Sequence, residues 1–120
     1  MKNELLGIDL VEFSEIERRL SDKFVARVLS VEERKLYDRM SDDKRKLSFI
    51  AGRFAAKEAY TKAYRSFAQP LNMNEVSVLN DSDGAPYLTS PYRPRDTVEI
   101  SISHSPNYAV AICLVRKEED

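Results

Sequence analysis

The chain is short of several residue types that build common sites. In 120 residues it has one cysteine, one histidine, three glycines and no tryptophan. A single cysteine excludes an intrachain disulfide and any cysteine-built metal cluster. Cys113 sits in an apolar run and reads as a small buried hydrophobe. No zinc motif, P-loop or dinucleotide fingerprint is present. Charge of one sign is also lacking, with a formal net charge of −1, so there is no global nucleic-acid signature. An anion site must therefore come from local clustering. No apolar run approaches membrane length, and no charged-then-apolar signal opens the chain. The expected location is cytoplasmic, with no membrane partner. Internal repeats and low-complexity segments are absent.

What is there fits a soluble globular chain, 42% hydrophobic and 32% charged. The length fits one domain over residues 1–120, with a real but modest core. The pattern predicts a first strand over residues 5–11, apolar on both faces and therefore buried. Gly7 inside it implies close approach of another backbone or of a ligand. Asp9 is a carboxylate among apolar neighbours, either serving the following turn or holding something. Ser14 and Glu17 have capping-box spacing, which predicts a helix from Glu15 to the low twenties. A short helix is expected over residues 31–40, opened by Ser30. A long central helix follows the break at Ser41, Asp42 and Asp43 and runs to Tyr64 or Phe67. Short strands at 76–79 and 87–89 flank a strong turn signal and form a hairpin. The strand at 98–103 alternates strictly, and a last strand covers 108–115. Strands and helices are segregated. The expected class is α+β, with a small, largely antiparallel sheet packed on the long central helix.

The central helix carries the chemistry. Leu47, Ile50, Ala51, Phe54, Ala55 and Ala59 recur at helical spacing. Glu58 falls on or beside that apolar stripe, and Lys62 follows four residues later. They form either an ordinary ion pair on a half-exposed edge or part of a site, because a carboxylate near a core needs a cation, a metal or a proton. Arg53 and Lys57 repel at the same spacing unless an anion sits above them. Lys44, Arg45 and Lys46 crowd the helix start against its macrodipole. Few carboxylates with many cations suit Mg²⁺ and a phosphate-bearing substrate. Arg18, Arg19, Lys23 and Arg27 form a mixed patch that is either solvated or steers an acidic protein. Three readings stand on these residues. The first is phosphoryl transfer with a metal. The second is a Mg²⁺-dependent nuclease-like phosphodiesterase, disfavoured by the charge balance and the lack of aromatic-basic interleaving. The third is a non-catalytic adaptor in which Asp9 and Glu58 belong to an ion-pair network with Lys57 and Lys62.

Three segments narrow the choice. Gly7-Ile8-Asp9, then Phe54-Ala55-Ala56-Lys57-Glu58-Ala59 with Lys62, then Ser101-Ile102-Ser103-His104 resemble successive signatures of the 4′-phosphopantetheinyl transferases. The short length and the Ala51-to-Ala59 run resemble the bacterial holo-acyl-carrier-protein synthase branch. The resemblance spans about Leu6 to Val115. It implies transfer of phosphopantetheine from coenzyme A to a serine of an apo acyl carrier protein, release of 3′,5′-ADP, Mg²⁺ dependence and a place in fatty acid biosynthesis. By motif position, Asp9 and Glu58 would be metal ligands and Lys62 would neutralise the transferred phosphoryl; these three form the catalytic set. Lys44, Arg45, Arg53, Lys57, Thr61, Lys62, Gly84, Pro86, His104 and Ser105 would bind coenzyme A. Arg18, Arg19, Lys23 and Arg27 would meet the carrier protein. The branch also implies a homotrimer with shared sites, placing Asp9 and Glu58 on different chains or at their seam. One departure is visible: the family's Gly-x-Gly turn is replaced by Tyr64-Arg65-Ser66-Phe67-Ala68, where Arg65 is an extra cation.

Overall fold

The structure is a computed structural model that describes residues 3–65 and 71–118. The predicted helix end at Phe67 and the residues Gln69 and Pro70 lie outside the described residues. The chain runs β1 (Glu4–Glu12), α1 (Phe13–Arg19), α2 (Asp22–Val28), α3 (Val31–Arg39) and α4 (Asp43–Tyr64). After a 3₁₀ turn at Met73–Glu75 come β2 (Ser77–Asn80), β3 (Pro86–Thr89), β4 (Thr97–His104) and β5 (Tyr108–Arg116). The α+β expectation is met. The strands form a three-stranded antiparallel sheet, ordered β1-β5-β4, and a separate β2-β3 hairpin.

Helix α4 is the axle. Asp42 caps it by accepting the Lys44 N–H at 3.0 Å, and Asp43 in its first turn offsets the basic start. Ala51, Ala55, Ala59 and Ala63 form a row at i,i+4 spacing and are all buried. These short side chains let the sheet come close. A Cβ at Gly7 would lie 1.9 Å from the Ala59 carbonyl oxygen. The close approach read at Gly7 is therefore backbone on backbone, and no larger residue fits there. The register pairs Gly7 with Cys113 and Asp9 with Ala111, so β5 also presents small side chains to the helix. Cys113 is fully buried, which pushes its thiol pKa up to about 12 and leaves it inert.

Strand β1 departs from expectation on one face. Its inward side is Leu5, Gly7, Asp9 and Val11. Its outward Leu6, Ile8 and Leu10 are 61%, 56% and 64% exposed, so the strand is not buried on both faces. Opposite them on β5 stand Leu114, Ile112 and Val110, which makes a continuous apolar stripe on the outer sheet face. The serines Ser101 and Ser103 of β4 flank the stripe.

The first predicted helix is in fact two. Ser14 does not cap: α1 starts at Phe13, whose N–H is already taken by the Asn107 carbonyl at the end of the sheet. The chain is extended at Leu20, and Ser21 caps α2 by accepting the Phe24 N–H at 3.0 Å. Phe24, Val25 and Val28 then enter the core from this helix. The real capping box lies at the start of α3. Ser30 N–H donates to Glu33 Oε1 at 2.8 Å, and Glu33 N–H donates to Ser30 Oγ at 3.3 Å.

That box is one corner of a buried polar hub. The Lys57 ammonium donates to Glu33 Oε1 at 2.5 Å, to the Val28 carbonyl at 2.6 Å and to the Met73 carbonyl at 3.0 Å. Glu33 Oε2 accepts the Val78 N–H at 2.7 Å. Both side chains are 0% exposed. Burial pushes the Lys57 pKa below the ordinary lysine range, and the Glu33 carboxylate opposes that push. The hub joins α2, α3, α4, the 3₁₀ turn and β2. Breaking it from one side strands a buried charge. Lys57→Met is expected to cost roughly 3–5 kcal/mol in urea unfolding, and adding Glu33→Gln should restore part of that loss. A Lys57→Met protein as stable as the parent would mean that the hub does not hold these elements together.

Candidate active site

The inward face of β1 and the C-terminal half of α4 bring two carboxylates and a lysine together. Asp9 points from β1 toward α4, with 13% of its side chain exposed. The Lys62 ammonium donates to Asp9 Oδ1 at 2.7 Å. Glu58 is one turn before Lys62 and half-buried. It has neither a hydrogen bond nor an ion pair among the described residues. The simple Glu58–Lys62 pair is therefore not what forms; Lys62 crosses to Asp9 instead. The alternative of a network through Lys57 fails as well, since Lys57 belongs to Glu33. Burial raises the Glu58 pKa above the ordinary carboxylate range, and the charge of Asp9 raises it further. Lys62 and Arg19 pull it back down.

Asp9 and Glu58 of one chain come together here, so bringing the two carboxylates to one place needs no second chain. Among the described residues no group of three or more His, Cys, Asp or Glu gathers as a self-sufficient metal site. Two mutually repelling carboxylates, one of them unpartnered, suit a divalent cation that takes only one or two protein ligands. The remaining ligands would be substrate or water oxygens. Asp9 and Glu58 thus fit Mg²⁺.

A second feature lies along the N-terminal half of α4. A cavity of about 1020 Å³ is walled by Arg45, Phe49 and Arg53 of α4, by Gly84 and Pro86 of the hairpin, and by His104 at the end of β4. Arg53 is fixed there. Its Nε donates to the Val78 carbonyl at 3.1 Å, its Nη2 donates to Asn80 Oδ1 at 2.8 Å, and its guanidinium lies 4.1 Å from the Phe49 ring centre. Gly84 takes φ +84° at the hairpin turn, a conformation open to glycine at little cost. Asp81 Oδ1 holds that turn by accepting the Asp83 and Ala85 N–H groups. With Arg39 also on its wall, the cavity offers three guanidiniums and an imidazole, the donor set for phosphate oxygens.

These features can be set beside known proteins. The sequence profile of the 4′-phosphopantetheinyl transferase superfamily matches residues 5–113. The chain belongs to this superfamily. The holo-[acyl-carrier-protein] synthase of Acholeplasma laidlawii is 38% identical over 110 residues, covering 92% of this chain and 93% of that one. The Streptococcus agalactiae enzyme of the same name is 40% identical over 116 residues, covering 94% and 96%. Among solved structures, the Bacillus anthracis holo-(acyl-carrier-protein) synthase in complex with CoA (3′,5′-ADP) superimposes with a TM-score of 0.83 at 36% identity. That match covers 95% of this chain and 96% of that one. The Helicobacter pylori enzyme in complex with coenzyme A gives 0.78 at 31% identity, covering 92% and 99%. The chain is therefore a transferase of the holo-acyl-carrier-protein synthase type.

Within this family member the predicted site residues divide into groups. Asp9, Glu58 and Lys62 converge. Arg45, Arg53, Gly84, Pro86 and His104 share the large cavity. Lys57 is a correction: it is buried with all three donors taken, so it has nothing to offer a phosphate. Thr61 Oγ1 donates to the Lys57 carbonyl at 2.9 Å. Ser105 Oγ accepts the Asn107 and Tyr108 N–H groups and shapes the β4–β5 turn. Lys44 is exposed at the start of α4. These last three are not on the cavity wall. Of the basic patch, Arg18 faces Glu15 on the surface and Lys23 is exposed. Arg19 and Arg27 instead share a cavity of about 320 Å³ with Glu58, floored by Phe24 and Phe54. The Arg19 guanidinium lies 4.9 and 5.4 Å from those two ring centres. Arg65 ends α4 with φ 46°, the left-handed value that glycine takes more easily.

Sequence reasoning missed Glu33, whose signal was the Ser30-x-x-Glu33 box. It also missed Asn80, which orients Arg53 and had no local signature.

Because its pKa is raised in the folded chain, ionised Glu58 costs stability. The cost is fully present above the raised pKa, shrinks as pH falls from there toward the ordinary value of 4.5, and is gone below it. Glu58→Gln is expected to match or exceed the parent in thermal stability at pH 7, with the difference vanishing near pH 4. A clear loss of stability at pH 7 would mark Glu58 as a structural residue.

Proposed function

We propose that this protein transfers 4′-phosphopantetheine from coenzyme A to a serine of an apo acyl carrier protein and releases 3′,5′-ADP, using Mg²⁺. The observation that carries the reading is the unpartnered, half-buried Glu58 beside the Asp9–Lys62 pair. The guanidinium-lined cavity adds a place for the phosphates of coenzyme A, with His104 and Arg53 on its walls. The acidic carrier would meet Arg18, Arg19, Lys23 and Arg27, and Arg19 and Arg27 lead to Glu58.

In the reaction the acceptor serine oxygen bonds to the β-phosphorus of coenzyme A, and the bond from that phosphorus to the bridging oxygen breaks. Asp9 and Glu58 would hold Mg²⁺, which when bound supplies charge neutralisation at the pyrophosphate. Lys62 stabilises charge gathering on the transferred phosphoryl oxygens. The serine proton needs an acceptor, which would be Glu58 or a water held beside it. Arg45, Arg53 and His104 position the nucleotide end, so that binding far from the reacting atoms orients them.

We further infer a homotrimer in which neighbouring chains share sites. The stripe of Leu6, Ile8, Leu10, Val110, Ile112 and Leu114 is apolar and outward-facing, and a second copy would cover it. The large cavity and the carboxylate pair also have no wall residue in common.

Two measurements test these readings. Incubation with apo acyl carrier protein, coenzyme A and Mg²⁺ should add one phosphopantetheine by intact mass, a gain lost with EDTA. Glu58→Gln should lower the rate by about 10²-fold or more. A full-rate reaction in EDTA would remove the metal from the scheme. For the assembly, Ile8→Lys should shift the protein from trimer to monomer in sedimentation, and an unchanged trimer would place the interface elsewhere.

A further inference from the structure

Lys62 is already committed to a partner. Its ammonium donates to Asp9 Oδ1 at 2.7 Å, although more than half of its own side chain is exposed. Asp9 is nearly enclosed, and among the described residues no other cation pairs with it within 4 Å. Glu58 stands close enough for the two carboxylates to repel, and among the described residues it makes no hydrogen bond or ion pair. Without Lys62, the two carboxylates would face each other across β1 and α4 with only the weaker pull of Arg19 to offset them. Lys62 is thus the counter-ion that makes the pocket tolerable within the chain. A divalent cation held between Asp9 and Glu58 would compete with the ammonium for the Asp9 carboxylate. An ammonium and a divalent ion cannot both sit within contact distance of one oxygen without strong repulsion.

We propose that Lys62 is a displaceable counter-ion, holding Asp9 until a divalent cation takes its place and frees the ammonium for the substrate phosphoryl group. This rests on the reading of Asp9 and Glu58 as the metal ligands. The exchange is cheap because Lys62 is flexible and largely in water, so it loses a partner without being left buried. It needs no movement of β1 or α4, which Gly7 and the alanine row lock together. The consequence is an order of events. The lysine faces the pyrophosphate with a free ammonium only when the metal is in place. A chain without metal keeps both groups occupied with each other.

Thermal unfolding of the parent, Lys62→Met and Lys62→Gln at pH 7 tests this, first in EDTA and then with increasing Mg²⁺ and no coenzyme A. The glutamine variant controls for the packing of methionine. In EDTA both variants should unfold about 2–5 °C below the parent, because the carboxylates have lost their cation. At saturating Mg²⁺ the gap should close, since the parent has then given up the same pair. The variants should also respond at about fivefold lower Mg²⁺, having no ammonium to displace. A gap that persists undiminished at saturating Mg²⁺ would show that the pair coexists with the metal and would overturn the proposal. So would the absence of any gap in EDTA. If neither the parent nor the variants respond to Mg²⁺, and Asp9→Asn behaves the same, the metal-ligand reading itself fails and the counter-ion exchange falls with it.

Discussion

The contact between the Lys57 ammonium and the Glu33 carboxylate holds the frame together. Each group would be costly to bury alone. Together, with the Ser30 and Val78 amides and the Val28 and Met73 carbonyls, every donor and acceptor is used. No buried side-chain nitrogen or oxygen among the described residues lacks a partner. Such a network adds little to net stability compared with a well-packed apolar core. Its effect is on uniqueness. Helices α1 to α3 are short and have little propensity to spare, so they depend on tertiary contacts. A fully satisfied hub accepts one arrangement of α2, α3 and β2 around α4 and penalises the rest.

Once α4 is held, the sheet is placed by size rather than by charge. The alanine row gives a flat track, and Gly7 lets β1 settle onto it. That depth carries Asp9, two residues further on, to the level of Glu58 and Lys62 on α4. A strand held one side chain farther out would leave Asp9 in solvent and Glu58 without its neighbour. Backbone contact thus sets the electrostatics of the pocket. The raised pKa of Glu58 follows from packing that excludes water and from the carboxylate that packing delivers.

The two lysines of the motif show how one helix serves both tasks. Lys57 and Lys62 are five residues apart, which turns them to different sides of α4. Lys57 meets Glu33 in the core and is silent in chemistry. Lys62 stays half in water beside Asp9 and remains mobile. The cationic cavity uses a third side, through Arg45, Phe49 and Arg53. Helix α4 therefore turns separate faces to the buried hub, to the carboxylate pocket and to the cationic cavity.

The sequence by itself determined the α+β class, the long central helix, the hairpin and its glycine turn. It also marked Asp9, Glu58 and Lys62 as out of place, because each breaks a local pattern of period or polarity. It read Gly7 as a point of close approach, since glycine inside a strand has few other uses. The sequence could not decide which cation meets which carboxylate. Arg53, Lys57 and Lys62 look alike along the helix, and their partners Asn80, Glu33 and Asp9 lie 24 to 53 residues away. It could not tell a buried strand face from an exposed one, because Leu6, Ile8 and Leu10 are as apolar as a core face. Nor did it separate α1 from α2, where two possible serine caps competed and the Phe13 contact with Asn107 chose between them. Local pattern follows from residue type; pairing over such distances depends on how close β1, α3 and β2 come to α4, and only the tertiary structure fixes that.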